Sequence, residues 1–105
     1  MHIEQLREYS ISKADSEETF PFGNDTLVYK VKGKMFLLVP LDSQPLQFNV
    51  KCDPDKAIEL REQYDCIKPG YHMNKKHWNT VIVDGSLTDK QLMEFIDDSY
   101  KLVSK

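Results

Sequence analysis

The sequence predicts an α+β domain of two layers, with element order α-β3-α-β2-α and helices packed on one face of an antiparallel sheet. Three observations predict it. Leu27, Tyr29 and Val31 alternate with Val28, Lys30 and Lys32, and Leu46, Phe48 and Val50 alternate with Gln47, Asn49 and Lys51; both runs have the period of a strand. The links between the first three apolar runs are too short for a crossover, so those strands pair antiparallel. Leu92, Phe95, Ile96, Ser99, Tyr100 and Val103 recur at i, i+3, i+4 and i+7, the stripe of a helix lying on a sheet. A chain of 105 residues fits one domain, residues 1–105.

The first helix is expected over His2 to Lys13, with a narrow apolar face of Ile3, Leu6 and Tyr9 or Ser10. The acidic stretch Asp15-Ser16-Glu17-Glu18 ends it. Phe20-Pro21-Phe22-Gly23 follows as a loop, its two aromatics capping the core. After the Leu27–Val31 strand, Lys32-Gly33 reads as a tight hairpin turn, because glycine accepts a positive φ. Met35 to Val39 is nearly all apolar and reads as a central strand ended by Pro40, which has no N–H for a ladder. Asp42-Ser43-Gln44-Pro45 turns the chain into the third strand, which has one wet face. Asp53 as N-cap and Pro54 at the first helical position open the second helix, with Ala57, Leu60 and Tyr64 on one side. Ile67 to Met73 holds a short strand broken by Pro69-Gly70, and Trp78 to Val83 a clearer one closed by Asp84-Gly85. Thr88 and Gln91 form a capping box for the last helix, and Leu87 with Leu92 a hydrophobic staple. Ser99, on the core side of that helix, is expected to hydrogen-bond to backbone or a neighbour.

Composition narrows the function. No apolar run is long enough to span a bilayer, the longest being Met35 to Leu41 interrupted by Pro40. Polar residues from His2 to Glu8 break up any signal-peptide core. Cys52 and Cys66 are too few for a disulfide framework, which points to reduced thiols in the cytoplasm. The net charge of −3 is unevenly spread. Residues 1–25 set Arg7 and Lys13 against six carboxylates, residues 26–83 set nine Lys/Arg against six Asp/Glu, and residues 84–105 set three lysines against five acids. Acidic ends oppose broad nucleic-acid affinity, whereas the basic middle allows a local patch.

The chemistry-bearing residues point away from catalysis. His72 and His77 are five apart, on opposite faces of a strand and about 140° apart on a helix, and no His-x3-His or Cys-x2-Cys pair exists, so no metal site is expected. Cys52 sits beside Asp53, which opposes a thiolate, and no His/Asn partner can be assigned. Neither glycine-rich phosphate motif occurs. No catalytic residue, metal or cofactor is therefore expected.

The most distinctive run is Gly70 to Thr80, which packs two lysines, two histidines, two asparagines and the only tryptophan into one segment. Lys30, Lys32 and Lys34 flank the predicted hairpin, Lys51 ends the third strand, and Lys68, Lys75, Lys76 and His77 form a second basic cluster near Tyr71 and Trp78. Lysines attract phosphate and aromatics stack on bases. Edge-strand lysines also discourage sheet-to-sheet aggregation, and a lone Trp among apolar neighbours is most often core.

Phe20-Pro21-Phe22-Gly23, Lys34-Met35-Phe36, Asn49-Val50-Lys51-Cys52-Asp53-Pro54, Tyr71 through Thr80, and Asp98 through Val103 occur in the order seen in the MmcQ/YjbR-like family, which the chain resembles over nearly its whole length. The resemblance implies a compact α-β3-α-β2-α domain similar to type III secretion chaperones, with no enzymatic activity and no cofactor. Family members are commonly labelled DNA-binding because a paired-hairpin "double wing" was proposed for the fold. The overall acidity of this chain departs from the basic composition usual in DNA-binding domains.

Three readings follow. The leading one is a non-enzymatic DNA-binding protein in which Lys32, Lys34, Lys75 and Lys76 contact phosphates and His77 adds charge at low pH. The second is a protein- or peptide-binding module presenting Tyr29, Phe48 or a sheet edge to a partner by strand addition. The third is a small-ligand pocket bordered by His72, Asn74 and Trp78.

Overall fold

A computed structural model describes all 105 residues. In chain order the elements are α1 (Ile3–Ile11), β1 (Ser16–Thr19), β2 (Thr26–Val31), β3 (Lys34–Pro40), β4 (Gln47–Lys51), α2 (Pro54–Gln63), β5 (Ile67–Pro69), β6 (Trp78–Ile82) and α3 (Asp89–Val103). The strands form one antiparallel sheet in the order β1-β2-β3-β4-β6-β5. The expected α+β class holds, with one strand more than the pattern predicts.

That strand is β1. The acidic stretch does not merely stop a helix; Ser16–Thr19 pairs with Val31–Val28 at the sheet edge. Its residues have weak β preference and no apolar alternation, so nothing local announces it. Tertiary contacts hold it instead: the Glu18 carboxylate accepts from Arg7 Nη2 at 2.8 Å and from the Tyr29 hydroxyl at 2.6 Å.

Lys32-Gly33 forms the hairpin turn with φ of 53° and 77° and Val31 paired to Lys34. Positive φ at both central positions is the type I′ pattern whose twist matches the flanking strands. The apolar run of β3 owes its continuity to a bulge. Tyr29 pairs with Leu37 and Lys30 with Met35, which leaves Phe36 unmatched. The extra residue lets Phe36 and Leu37 both enter the main core.

All three helices lie on one face. The main core joins Leu6 of α1 and Leu92, Ile96 and Val103 of α3 to Leu27, Tyr29, Phe36, Phe48 and Val81 of the sheet, with Leu60 and Tyr64 from the α2 side packed against it. Thr88 and Gln91 make the expected capping box, and Leu87 and Leu92 are both buried. Helix α1 is shorter than predicted and is capped by His2, whose Nδ1 accepts from the Gln5 N–H. Between β3 and β4 only Leu37–Val50 and Leu38–Asn49 remain in register. Beyond them Ser99 of α3 enters the gap: its hydroxyl donates to Phe36 O at 2.6 Å and accepts from Lys51 N–H at 2.8 Å.

The opposite face carries no helix. Val28, Leu38 and Trp78 form a second small cluster there, with Met35 and Met73 against it. Asn49, expected on a wet face, is only 6% exposed. The two aromatics of the Phe20–Gly23 loop do not cap the core: Phe20 is 45% and Phe22 64% exposed. The β1–β2 pairing closes the sheet edge before the loop begins, and the loop leans over the helix-free face instead.

Candidate functional site

The segment from Gly70 to His77 spends much of its polarity on holding its own shape. Gly70 N–H donates to Trp78 O at 2.9 Å, and a Cβ on Gly70 would lie 2.8 Å from Trp78 Cβ, so only glycine fits. Asn74 Oδ1 accepts from Lys76 N–H at 2.9 Å, and Asn74 O accepts from the N–H groups of His77 and Trp78. Lys75 Nζ donates back to Gly70 O at 3.2 Å. From outside, Arg61 of α2 clamps the base of the loop, donating to Asn79 Oδ1 at 2.7 Å and to the carbonyls of Lys75 and Trp78. Asn79 Nδ2 in turn donates to Ala57 O at 3.3 Å. Nothing in the sequence marks Arg61 as this clamp, because its partners lie 14 to 18 positions away.

The antiparallel registers set the predicted lysines at one end of the sheet. Val31 faces Lys34, Lys51 faces Trp78, and Asn79 faces Pro69. The β2–β3 turn, the end of β4 and the loop entering β6 therefore share an end. Strands β3 and β6 are separated only by β4, so the two lysine clusters flank β4 at the end where Ser99 splays it from β3. Lys32, Lys34, Lys75 and Lys76 are all exposed, and His77 is half-buried. The ion pairs of the protein join the N-terminus to Asp89, Arg7 to Glu18, Lys13 to Asp97 and Lys56 to Asp98; the four candidate lysines take no part in them. Two of the four are tethered to carbonyls: Lys32 Nζ donates to Ser104 O at 2.8 Å and Lys75 Nζ to Gly70 O. Lys34 and Lys76 have no side-chain partner. Acids share this end: Asp53 caps α2 just past Lys51, and the β1–β2 register sets Glu17 opposite Lys30 and brings Asp15 beside the β2–β3 turn.

A second concave feature lies on the helix-free face. It is a cleft of about 400 Å³ whose lining includes Leu38 of β3 and Asn49 of β4, flanked by Phe22 and Asp25 on one side and by Tyr71 and His72 on the other. Of the predicted pocket residues, only His72 borders it. Asn74 is turned into its own loop, and Trp78 is 8% exposed, packed under the cleft with Val28 and Leu38. His72 has a φ of 59°, a left-handed conformation uncommon outside glycine and asparagine, and its ring lies 4.0 Å from that of Tyr71.

The strand-addition reading loses its named contacts. Tyr29 and Phe48 are fully buried against the helices, because the face they occupy is the covered one. The edges are β1, with four residues and two glutamates, and β5, with three residues including Pro69, and short, charged or proline-bearing edges resist pairing. Neither cysteine is poised for chemistry. Burial pushes the Cys52 thiol above its ordinary pKa, outweighing the pull of Lys56, and Cys66 is packed in the main core. No helix is long and apolar enough to cross a membrane.

The YjbR family model matches residues 11–102. The chain belongs to the YjbR family. The Escherichia coli K12 protein YjbR is 33% identical over 101 residues, covering 96% of this chain and 86% of the relative. Escherichia coli O157:H7 YbdF is 42% identical over 88 residues, 83% of this chain and 71% of that one. Among solved structures, Deinococcus radiodurans protein DR2400 superposes with a TM-score of 0.92 at 42% identity, covering 98% of this chain and 78% of that one. A Pseudomonas syringae protein superposes at 0.84 with 27% identity, covering 98% and 99%. The YjbR domain thus accounts for both lysine clusters and the cleft, all of which lie within residues 11–102.

Proposed function

We propose that this YjbR-family protein binds the phosphate backbone of duplex DNA, without catalysis, through the lysine-bearing end of its sheet, and does so in the cytoplasm where its thiols stay reduced. The observation that carries the reading is the shared end: Lys32 and Lys34 on the β2–β3 turn stand two strands from Lys75 and Lys76, and none of the four faces a carboxylate within ion-pair distance. The carbonyls held by Lys32 and Lys75 take one ammonium proton each, leaving the others for phosphate. Binding is sequence-independent, because phosphate contacts position a protein without reading bases. The net charge of −3 keeps the rest of the surface off the duplex and limits affinity.

Anisotropy titrations of a labelled duplex between about 50 and 200 mM salt test this. Four contacts give a slope of log K against log salt of about −3.6. Lys34→Ala with Lys76→Ala, the untethered pair, reduces the slope by about 2 and weakens all sequences alike. No binding tighter than about 10⁻⁴ M at low salt, or a slope untouched by the double substitution, removes the proposal.

A further inference from the structure

We propose that the cleft on the helix-free face is a binding site for a small cationic aromatic molecule: a flat ring carrying a hydrogen-bond acceptor and a protonated amine. The site is independent of the lysine-bearing end.

The deepest polar group in it is Asn49. Its Oδ1 accepts from the Thr80 hydroxyl, and Thr80 Oγ1 accepts from Tyr71 N–H at 3.0 Å. That chain fixes the amide orientation. With the amide turned the other way, Thr80 Oγ1 would receive two donors and its own proton would have none. Asn49 Nδ2 is therefore left as a donor. It makes no hydrogen bond within the protein, although the residue is 94% buried by its 6% exposure, and it opens onto the cleft that Asn49 lines. The buried hydroxyls without a partner are those of Ser10 and Ser16; Asn49 Nδ2 itself reaches the cleft surface, so water can serve it and a ligand acceptor would take that water's place.

The walls set the rest of the chemistry. Phe22 and Tyr71 are 64% and 65% exposed, and they stand on opposite loops around an apolar floor that includes Leu38 and Met73. Large aromatics so exposed on either side of a concavity suit an inserted ring. Asp25 and Asp42 also line the cleft, with no lysine or arginine beside them, and neither is ion-paired. Two unpaired carboxylates select a cation and repel phosphates, so the nucleic acid of the proposed function does not enter here. The volume of about 400 Å³ falls in the range of small-molecule sites.

The test is protein-observed NMR with kynuramine (an aryl ketone bearing a primary ammonium) and a panel of aryl ketones and azaheteroaromatics carrying primary or quaternary ammonium groups. Matched neutral and carboxylate analogues serve as comparisons. Cationic members are expected to shift the Asn49 side-chain amide and the Tyr71 and His72 backbone signals saturably, with neutral analogues weaker by about fivefold or more. Asp25→Asn and Asp42→Asn, both at exposed positions, remove that preference without touching the core. Asn49→Asp keeps the acceptor for Thr80 and loses the donor; its added carboxylate still attracts a cation, so the expected loss is the preference for members carrying a ring acceptor over matched aryl amines without one. If no cationic member moves the Asn49 amide at about 5 mM, far above ordinary site affinities, the inference fails. It also fails if carboxylate analogues bind equally well, or if the two rim substitutions leave the charge preference intact.

Discussion

Replacing Ser99 with alanine tests how the sheet tolerates the splay between β3 and β4. The Ser99 hydroxyl serves two backbone groups that the ladder leaves behind, Phe36 O at 2.6 Å and Lys51 N–H at 2.8 Å. Ser99 is fully buried, so water cannot replace it in an unrelaxed Ser99→Ala protein. Each orphaned backbone group costs about 1–3 kcal/mol. The gain in helix propensity from Ser to Ala returns about half a kcal/mol. The net expectation is about 2–5 kcal/mol, a large part of the about 5–15 kcal/mol typical of a whole domain. For a domain of this size that lowers Tm by at least roughly 10 °C. Urea denaturation with unchanged m-value is the assay. Ser10 provides the control. It is equally buried, but its hydroxyl has no partner, so Ser10→Ala removes an unpaid desolvation and is expected to be neutral or stabilising by up to about 1 kcal/mol. A loss below about 1 kcal/mol for Ser99→Ala, or equal losses for the two serines, refutes the assignment of Ser99 as the bridge across the splay.

Gly70→Ala places a Cβ 2.8 Å from Trp78 Cβ and 3.0 Å from Trp78 O; backbone cannot yield as a side-chain tip can, so a loss of about 1–3 kcal/mol is expected by denaturation, with amide exchange rising first in the Gly70–His77 loop. Glu18 is held below the ordinary carboxyl value of 4.5 by its hydrogen bonds from Arg7 and Tyr29. A depressed carboxyl contributes stability above its unfolded pKa and loses it as pH falls through the folded value. Urea midpoints are therefore expected to fall from about pH 5 downward, and to fall less steeply in Glu18→Gln; identical slopes would show that the α1–β1 tie does not titrate with folding.

Elements whose signals are local were legible in the sequence. The Thr88–Gln91 box, the Asp53–Pro54 start and the Lys32–Gly33 turn each depend on neighbours within three positions, and each forms as predicted. Ser99 was recognisable as a hydrogen-bonding core residue, though not its partners. What stayed hidden depends on distant contacts. Strand β1 exists through pairing with β2 and the capture of Glu18, and its own residues carry no strand pattern. The Phe20–Gly23 aromatics looked like core because hydrophobicity says nothing about which face a loop leans over. At the cleft, His72 was named from composition, but Asn49, Asp25 and Asp42 come from separate strands and turns that only the fold brings together.

The Gly70–Thr80 segment carries the clearest lesson about function. Its mixture of amides, cations and imidazoles resembles a binding surface, yet Asn74, Lys75 and Asn79 are engaged in closing the loop and seating it on α2. A loop that must reverse direction over a helix-free sheet face has no regular ladder to pair its backbone, so side chains supply the partners. That need concentrates polar residues whether or not anything binds. The groups free to act are those the loop does not use: Lys76 at the sheet end, Tyr71 and His72 at the cleft. What remains unpaired is a set of lysines at the sheet end and two carboxylates, Asp25 and Asp42, at the cleft. On the two proposals the surfaces of one small domain have opposite charge preferences, and a variant in either is expected to leave binding at the other unchanged.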